Sequence, residues 1–427
     1  MRILHTADLH IGQVIYQNYG RGDEHRHFFS QLRHWCEELR PDALIVSGDV
    51  FDIQQPSAAT KRAFNDYVVD LHRACPDVAI VVTAGNHDSA SRLEADGAIW
   101  DLGGIRMVGL APQSEPAEGW EERYIVRLPA GYVVAMPFMP GERREVLQHL
   151  MDVVARENTK GLPVVMTAHT AVTGLDLTGH DMEIGRLKTQ DADAFGTGYD
   201  YLALGHIHKP QTLGHQEDAL REEVCYPAPV MRYSGSALHV SCDEAYPHSV
   251  SLVDIDGHGG EVRVRQLRID ELRHFYVLPE DGSSCKSAEE ALEEVRRFCR
   301  ERGRGYIRLR ADIGTDLPSN FNQMVYDLLA ATGDEVRYNP KVVWTGEEAG
   351  PGCESERPTF EVAELQQMTD PMDFVERTID QYPTLTMEEV REAFEEVERE
   401  IVRMKEEDDQ KARTKAEKKN AKKQTDQ

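Results

Sequence analysis

Acidic and imidazole side chains recur in the first half of this chain, each time where a short apolar run ends. The residues are Asp8 and His10 after RILHT, Asp49 and Asp52 after ALIVSG, Asn86, His87 and Asp88 after AIVVTAG, His169 at the end of PVVMTAH, and His206 and His208 after YLALG. A single pair of histidines at a strand end is more often a surface or core pair than a metal site. Here five strand ends share the arrangement. Because the C-terminal ends of neighbouring strands lie side by side and form ligand sites, we expect His206 and His208 to bind a metal together with the others.

The types of these side chains limit which metal ions could bind there. Nitrogen and oxygen donors without sulfur suit Mn, Fe, Zn or Ni, whereas so many histidines do not suit Mg or Ca. A carboxylate shared by two ions can hold them about 3.5–4 Å apart, the arrangement used in phosphoester hydrolysis. Asp49 belongs to the second of the five strand ends, and we expect it to be that bridge.

Two folded parts must position these residues. Up to residue 270, apolar runs rich in β-branched residues alternate with helical stretches, which predicts an α/β domain over 1–270. Residues 271–344 show the order β-α-β-α-β and predict a small α/β domain. Residues 345–369 are rich in Gly, Pro and Glu and predict a linker.

A helix pair is predicted over residues 370–405. Asp370 and Pro371 suit the start of the first helix, and Thr386 with Glu389 forms a capping box for the second. The second helix carries an apolar seam at spacings of three and four, made of Met387, Val390, Phe394, Val397, Ile401 and Met404. The seam could pack on this chain's own domain, but its position beyond a linker favours the coiled coil of a partner. Residues 406–427 are basic and of low complexity, and we expect them to be disordered.

Composition limits the classes of function. The net charge of −27 over 427 residues disfavours tight binding of a nucleic acid by this chain alone. We therefore expect a partner to supply much of the binding affinity for a nucleic acid. Basic residues do concentrate at 296–310 and at 411–423. The seven cysteines form no CxxC pair, which predicts reduced thiols and a cytoplasmic protein. No apolar run reaches membrane-spanning length, and we expect neither a signal peptide nor membrane contact.

The ordered set of motifs DxH, GDxxD, GNHD, H and GHxH resembles that of the calcineurin-like metallophosphoesterases. The resemblance implies two packed mixed β-sheets flanked by helices, and two metal ions. One ion would be held by Asp8, His10, Asp49 and His208, and the other by Asp49, Asn86, His169 and His206. His87 would reach the scissile phosphate or protonate the leaving oxygen, and Asp88 would orient His87.

The longer segments HTADLHIGQ, SGDVFD, GNHDS, GHIHKPQ and YSGSALH resemble the SbcD nuclease family. This resemblance implies a Mn²⁺-dependent exonuclease and endonuclease acting on DNA, with the domain at 271–344 as a DNA-facing cap. It also implies a homodimer that joins an SbcC-type ATPase as a heterotetramer with two copies of each chain, the ATPase coiled coil docking on 370–405. The loop from Gln13 to Arg21 would contact DNA. Some members of the family have histidine where Asp52 stands, which leaves the role of Asp52 open.

Two other functions compete with a DNA nuclease. A phosphomonoesterase or cyclic-nucleotide phosphodiesterase of the same superfamily would need neither the cap nor the helix pair. A non-catalytic scaffold would not need the complete set of motif residues that is present. The stretch GDEHRHFF at 22–29 contains His25 and His27, and its polarity favours a solvated helix face over a site.

Overall fold

The computed structural model describes residues 1–345 apart from 17, 114–117, 142–143, 177–188, 216–217, 219–220, 241–243, 245 and 313. The predicted helix pair, the basic tail and the predicted linker beyond Thr345 lie outside the described residues. None of the helices described has the length and apolar character needed to cross a membrane.

The described residues form the following strands and α-helices, numbered in chain order. The strands are β1 (Arg2–Thr6), β2 (Val14–Ile15), β3 (Tyr19–Gly20), β4 (Ala43–Ser47), β5 (Ala79–Thr83), β6 (Ile105–Val108), β7 (Ile125–Leu128), β8 (Gly131–Val134), β9 (Val164–His169), β10 (Tyr201–Gly205), β11 (Gln211–Thr212), β12 (Glu223–Pro227), β13 (Val230–Tyr233), β14 (Ser249–Ile255), β15 (Glu261–Arg268), β16 (Phe275–Leu278), β17 (Gly305–Asp312) and β18 (Val336–Thr345). The α-helices are α1 (Gly22–Leu39), α2 (Ala58–Ala74), α3 (Ala90–Glu94), α4 (Gly97–Asp101), α5 (Arg144–Glu157), α6 (Ala288–Glu301) and α7 (Phe321–Leu329).

Two mixed sheets form the larger part of the fold. Within the described residues, one sheet has seven strands in the order β12-β15-β14-β1-β4-β5-β6, and the other has six in the order β11-β13-β10-β9-β8-β7. In the first sheet β1, β4, β5 and β6 run parallel, and in the second β8, β9, β10 and β13 do. The two-sheet sandwich that the motif resemblance implied is confirmed.

The apolar runs read from the sequence are strands covered on both faces. In β4, Ala43 and Ile45 belong to the core shared by the two sheets. Leu44 and Val46 belong to a second core, which includes apolar residues of α1 and α2. Because successive side chains of a strand point to opposite faces, a strand between two cores must be apolar at every position.

A third sheet follows the sandwich. It contains β16, β17 and β18, all parallel, and packs on α6 and α7 around a core of its own. Ser287 begins α6: its hydroxyl accepts a hydrogen bond from the backbone N–H of Glu290 at 3.2 Å, and the Glu290 carboxylate accepts one from the N–H of Lys286 at 2.8 Å. The order of elements matches the β-α-β-α-β pattern read from the sequence.

A buried charged network joins α1 to the third sheet. Glu24, only 2% exposed, lies at its centre. Its Oε1 accepts hydrogen bonds from the hydroxyl of Tyr306 at 2.6 Å and from Nη1 of Arg337 at 3.0 Å. Its Oε2 accepts one from Nε of Arg21 at 2.7 Å, and Arg273 lies 3.5 Å from Oε1. Sandwich and third sheet belong to one compact unit, Met1–Thr345, and this network is one of the contacts that hold them together.

Candidate metal centre

The five motif-bearing strand ends meet in one place, but they come from two sheets. β1, β4 and β5 belong to the seven-stranded sheet, whereas β9 and β10 belong to the six-stranded sheet. The ligand atoms of Asp8, His10 and His208 lie within 4.8 Å of one another, and those of Asp49, His169 and His206 do so as well. The two groups agree with the two sets of ligands that the resemblance implied. That these residues bind metal stays a prediction.

His169 shows most clearly that the pocket is built for a positive charge. Its Nδ1–H donates to the carbonyl oxygen of Ser47 at 2.8 Å, which leaves the Nε2 lone pair facing Asp49 Oδ2 at 3.2 Å and Asn86 Oδ1 at 3.0 Å. Three electron-rich atoms do not converge in a buried place unless a cation or a proton lies between them. Burial lowers the pKa of His169, but the carboxylates of Asp49 and Asp8 outweigh burial and raise it to about 9. A protonated His169 imidazole therefore supplies a positive charge between the neighbouring carboxylates.

Asp49 belongs to one of the two groups and also approaches His10 of the other. Its Oδ2 is 3.2 Å from His169 Nε2 and 4.0 Å from His10 Nε2, and its Oδ1 accepts a hydrogen bond from the backbone N–H of His87 at 2.8 Å. Burial raises the pKa of Asp49, but His169 outweighs burial and holds it well below its usual range. A charged carboxylate with one oxygen between two groups of ligands fits the bridging role predicted from the sequence.

The other group is also short of hydrogen-bond partners. His10 is 3% exposed; its Nδ1 has the Asp52 carboxylate at 3.4 Å, and its Nε2 has no hydrogen-bond partner within the described part of the chain. Its ring meets that of His208 edge to face, with centroids 5.4 Å apart. Asp8 accepts hydrogen bonds from the backbone N–H of His206 at 2.9 and 3.1 Å, which ties β1 to β10. Buried imidazole nitrogens without hydrogen bonds fit metal ligation, since such groups are otherwise nearly always satisfied.

The backbone is strained where it presents these side chains. Four site residues other than glycine have positive φ: Asp8 at 52°, His10 at 45°, Asp49 at 48° and His206 at 98°. L-residues rarely adopt such angles, and the residues that do so concentrate at functional sites. Glycine is required beside them: a Cβ atom on Gly85 would collide with the Asp49 carboxylate, and one on Gly205 with the carbonyl oxygen of Ser47. The glycines of the GNHD and GHxH motifs therefore permit close approach of the strand ends.

Asp88 does not orient His87, contrary to the expectation from the motif. Its Oδ2 accepts hydrogen bonds from the backbone N–H groups of Gly85 at 2.8 Å and Val50 at 3.0 Å, and its Oδ1 accepts one from Phe51 at 2.9 Å. Three N–H donors from two loops occupy both oxygens, so Asp88 fastens the loop after β4 to the loop after β5. Burial raises the pKa of Asp88, to about 6.

Asp52 takes the orienting role instead. The Nδ1–H of His87 donates to the Asp52 carbonyl oxygen at 2.9 Å, which fixes the imidazole with Nε2 as its remaining nitrogen. The Asp52 carboxylate lies 3.4 Å from Nδ1 of His10. The rings of His87 and His10 are in edge contact, with centroids 5.0 Å apart. Through its backbone and its side chain, Asp52 therefore touches two of the predicted site residues.

Glu244 is a site residue that no sequence motif indicates. Its Oε1 accepts a hydrogen bond from His208 Nδ1 at 2.8 Å, which directs the other ring nitrogen of His208 away from this carboxylate. Its Oε2 accepts a hydrogen bond from the backbone N–H of Val240 at 3.0 Å. Burial raises the pKa of Glu244, but the hydrogen bond to His208 and the nearby His248 outweigh burial and hold it far below its usual range. Glu244 lies 36 residues from His208, and no motif spacing links the two.

After the first motif the loop is exposed in part, as at Val14, whereas Arg21 and the start of α1 are buried. Arg21 is 3% exposed and donates to Glu24 Oε2 at 2.7 Å and to Gln13 Oε1 at 2.8 Å. A contact between Arg21 and DNA does not fit this packing, and a contact at the half-buried Gln13 stays a prediction. The expectation that His25 lies on a solvated face is wrong: it is buried, with Nε2 2.8 Å from the carbonyl oxygen of Leu9.

The sequence of this chain is similar to those of several known proteins. The family model described as calcineurin-like phosphoesterase matches residues 1–210. The SbcD chain of nuclease SbcCD from Rhodobacter capsulatus is 33% identical over 344 residues, which is 73% of this chain and 81% of the relative. The protein of the same name from Escherichia coli strain K12 is 30% identical over 319 residues, 69% of this chain and 75% of the relative. The DNA double-strand break repair protein Mre11 of Aeropyrum pernix is 25% identical over 373 residues, 84% of this chain and 85% of the relative.

Proposed function

The chain belongs to the SbcD family of nucleases, as its motifs predicted, and from this membership we propose that it is a metal-dependent nuclease that hydrolyses DNA phosphodiester bonds. In its finer form, the proposal is an ATP-dependent 3′–5′ exonuclease on double strands and an endonuclease on single strands and hairpins. Its setting would be DNA end processing, repair and recombination. The name of the Mre11 relative, a double-strand break repair protein, supports that setting.

The observation that carries the proposal is the pair of adjacent ligand groups, which Asp49 connects because its carboxylate approaches both His169 and His10. Two divalent ions, which we propose to be Mn²⁺, would supply a nucleophile at neutral pH and neutralise charge on the phosphoryl oxygens when bound. The residues proposed to hold them are Asp8, His10, Asp49 and His208 for one ion, and Asp49, Asn86, His169 and His206 for the other. The buried Nε2 of His10, which has no hydrogen-bond partner among the described residues, fits this assignment, and so does His169, whose ring is oriented by the Ser47 carbonyl oxygen.

His87 is the residue proposed to move a proton. Because its Nδ1–H is engaged by the Asp52 carbonyl oxygen, the proton that leaves or arrives must be on Nε2. Its backbone N–H is held by Asp49, which fixes the residue against the bridging carboxylate. An imidazole held in this way can donate a proton to the leaving oxygen of a phosphodiester without giving up its position.

DNA and an SbcC-type ATPase are the proposed partners, in a heterotetramer with two copies of each chain and a homodimer of this one. The net charge of −27 supports a partner that contributes to the grip on DNA. The proposed docking residues on the predicted helix pair are Met387, Val390, Phe394, Val397 and Ile401. The third sheet and its helices, at 271–344, are proposed to face DNA.

The function is tested with the purified full chain, Mn²⁺, linear duplex DNA and a generic phosphomonoester, each with and without the ATPase and ATP. We expect duplex cleavage that the ATPase and ATP strengthen, and little release of phosphate from the monoester. Asp49→Asn should abolish cleavage, whereas His258→Asn, on the exposed turn before β15, should not change it. Rapid monoester hydrolysis without DNA cleavage would instead identify a small-molecule phosphatase, and no hydrolysis of either substrate would identify a scaffold.

The docking proposal is tested by replacing Phe394 and Val397 together with glutamate. Two unpaired carboxylates in an apolar contact cost several kcal/mol if they stay charged and buried. We expect the double variant to lose the ATPase while keeping its metal content and its cleavage of a small phosphodiester. Co-purification at wild-type affinity would exclude the seam as the docking site. Precipitation of the variant alone would show that the seam packs on this chain.

A further inference from the structure

A second cluster of metal-binding side chain types lies outside the candidate metal centre. His239 and His248 belong to the connection between β13 and β14, and Glu271 belongs to the connection between β15 and β16. One ligand atom from each residue lies within 4.8 Å of the other two. The cluster therefore joins the sandwich to the segment that leads into the third sheet.

The hydrogen bonds of His248 resemble those of His169 in the candidate metal centre. His248 is 1% exposed, and its Nδ1–H donates to the carbonyl oxygen of Ser236 at 2.9 Å. Its Nε2 is left with a lone pair that faces Glu244 Oε2 at 3.3 Å, and within the described residues it has no hydrogen-bond partner. A lone pair and a carboxylate oxygen that face each other in a buried place repel, unless a positive charge lies between them.

The same holds on the opposite side of the cluster. Glu271 Oε2 is buried and lies 3.0 Å from His239 Nδ1 and 3.3 Å from Nδ1 of the exposed His274, but no contact in the part of the chain described gives it a well-aligned hydrogen bond. The rings of His239 and His248 are close, with centroids 4.1 Å apart. Burial raises the pKa of Glu271, but the neighbouring His239 outweighs burial and lowers it. Glu271 and Glu244 together bring two negative charges, which one divalent cation would balance.

We propose that His239, His248 and Glu271 form a third divalent-cation site, with Glu244 at its edge, and that this site takes Zn²⁺. Two imidazoles and carboxylates without sulfur form a small set of nitrogen and oxygen donors, which suits the low coordination number of Zn²⁺ better than the larger oxygen cages of Ca²⁺ or the octahedron of Mg²⁺. The site does not depend on the nuclease function proposed above.

The third site has a structural connection to the candidate metal centre through one carboxylate. Glu244 accepts the His208 hydrogen bond on Oε1 and faces His248 with Oε2. A cation bound by His248 would hold Glu244 in place, and Glu244 would in turn hold the His208 ring. Glu244 is thus a positioning residue shared by both sites.

The site is tested by counting ions on the full chain after chelator treatment and titration with Zn²⁺ alone. Metal analysis by mass spectrometry should find one more Zn²⁺ per chain in the wild type than in the His239→Ala/His248→Ala double variant. Glu271→Gln keeps the size of the side chain and removes its charge. We expect it to weaken the binding of that one ion by at least about tenfold, since even changes next to a metal ligand have effects of that size.

His149→Ala is the matched control, because His149 forms an exposed pair with Glu121 at 2.7 Å, away from both sites. It should bind as many ions as the wild type, with the same affinities. Equal ion counts and equal affinities in the wild type, the double variant and Glu271→Gln would overturn the proposal and leave a network of protonated histidines. If the double variant does not fold, Glu271→Gln decides the question alone.

Discussion

Removing the Glu24 side chain should loosen the third sheet from the sandwich. The Glu24 carboxylate ties the start of α1 to β17 through Tyr306 and to β18 through Arg337, and it also binds Arg21. Glu24→Ala leaves buried guanidinium groups facing a space without their central counter-charge. Asp23 can compensate only in part, because its side chain is 36% exposed and it already pairs with Arg273.

The size of the effect follows from the burial of the network. Breaking a buried ion pair by removing one partner costs about 3–5 kcal/mol, because the remaining charge stays desolvated. We therefore expect the free energy of unfolding to fall by about 3–5 kcal/mol in Glu24→Ala, a large part of the roughly 5–15 kcal/mol that stabilises a typical domain. Glu37→Ala on the same helix is the matched control. Its carboxylate is 44% exposed and pairs with the exposed Arg33, so we expect nearly unchanged stability.

Two measurements check this prediction. Urea unfolding compares the free energies of the two variants and the wild type. Hydrogen exchange should show faster exchange in β16, β17 and β18 of Glu24→Ala than in the wild type, with little change in β4 and β5. Equal stability of Glu24→Ala and Glu37→Ala would refute the reasoning, since it would mean that the buried arginines do not need the Glu24 charge.

Three further predictions concern the candidate metal centre and the core. Asp49→Ala should lose both metal ions and His208→Ala only one, as measured by metal analysis; unchanged stoichiometry in Asp49→Ala would contradict the bridge. His87→Ala should keep both ions and its affinity for DNA but cleave about 10²–10⁴-fold more slowly, and near-normal turnover or loss of an ion would exclude His87 from proton transfer. Burial lowers the pKa of His5 from 6.5 to about 3, so the unfolded chain binds a proton that the folded chain excludes. Above about pH 6.5, His5 therefore does not reduce the free energy of unfolding. As the pH drops towards about 3, its protonation in the unfolded chain lowers that free energy, by roughly 3 kcal/mol at about pH 4.5. Urea unfolding of the wild type and His5→Gln should show this loss in the wild type alone, and parallel pH profiles would contradict it.

The amino-acid sequence by itself determined which residues form the candidate metal centre. Each of its motifs follows a short apolar run, and such runs become strands covered on both faces, as in Ala43–Ser47. Parallel neighbours place their C-terminal ends side by side, which brings Asp8, Asp49 and Asn86 together at the edge of one sheet and His169 and His206 together at the edge of the other. Local pattern and sheet periodicity were sufficient for this, and the order of the motifs was sufficient for the family.

Only the tertiary structure decided how those residues are held. The motif placed Asp88 behind His87, but both oxygens of Asp88 are taken by backbone N–H groups of two loops, and the carbonyl oxygen of Asp52 holds His87 instead. Glu244 reaches His208 across 36 residues, and Glu271 meets His239 from a different connection of the sandwich. Such contacts join residues that are distant in the chain, and their geometry depends on how two sheets and a third domain pack. The spacing of residues along a single strand or helix therefore does not predict these contacts.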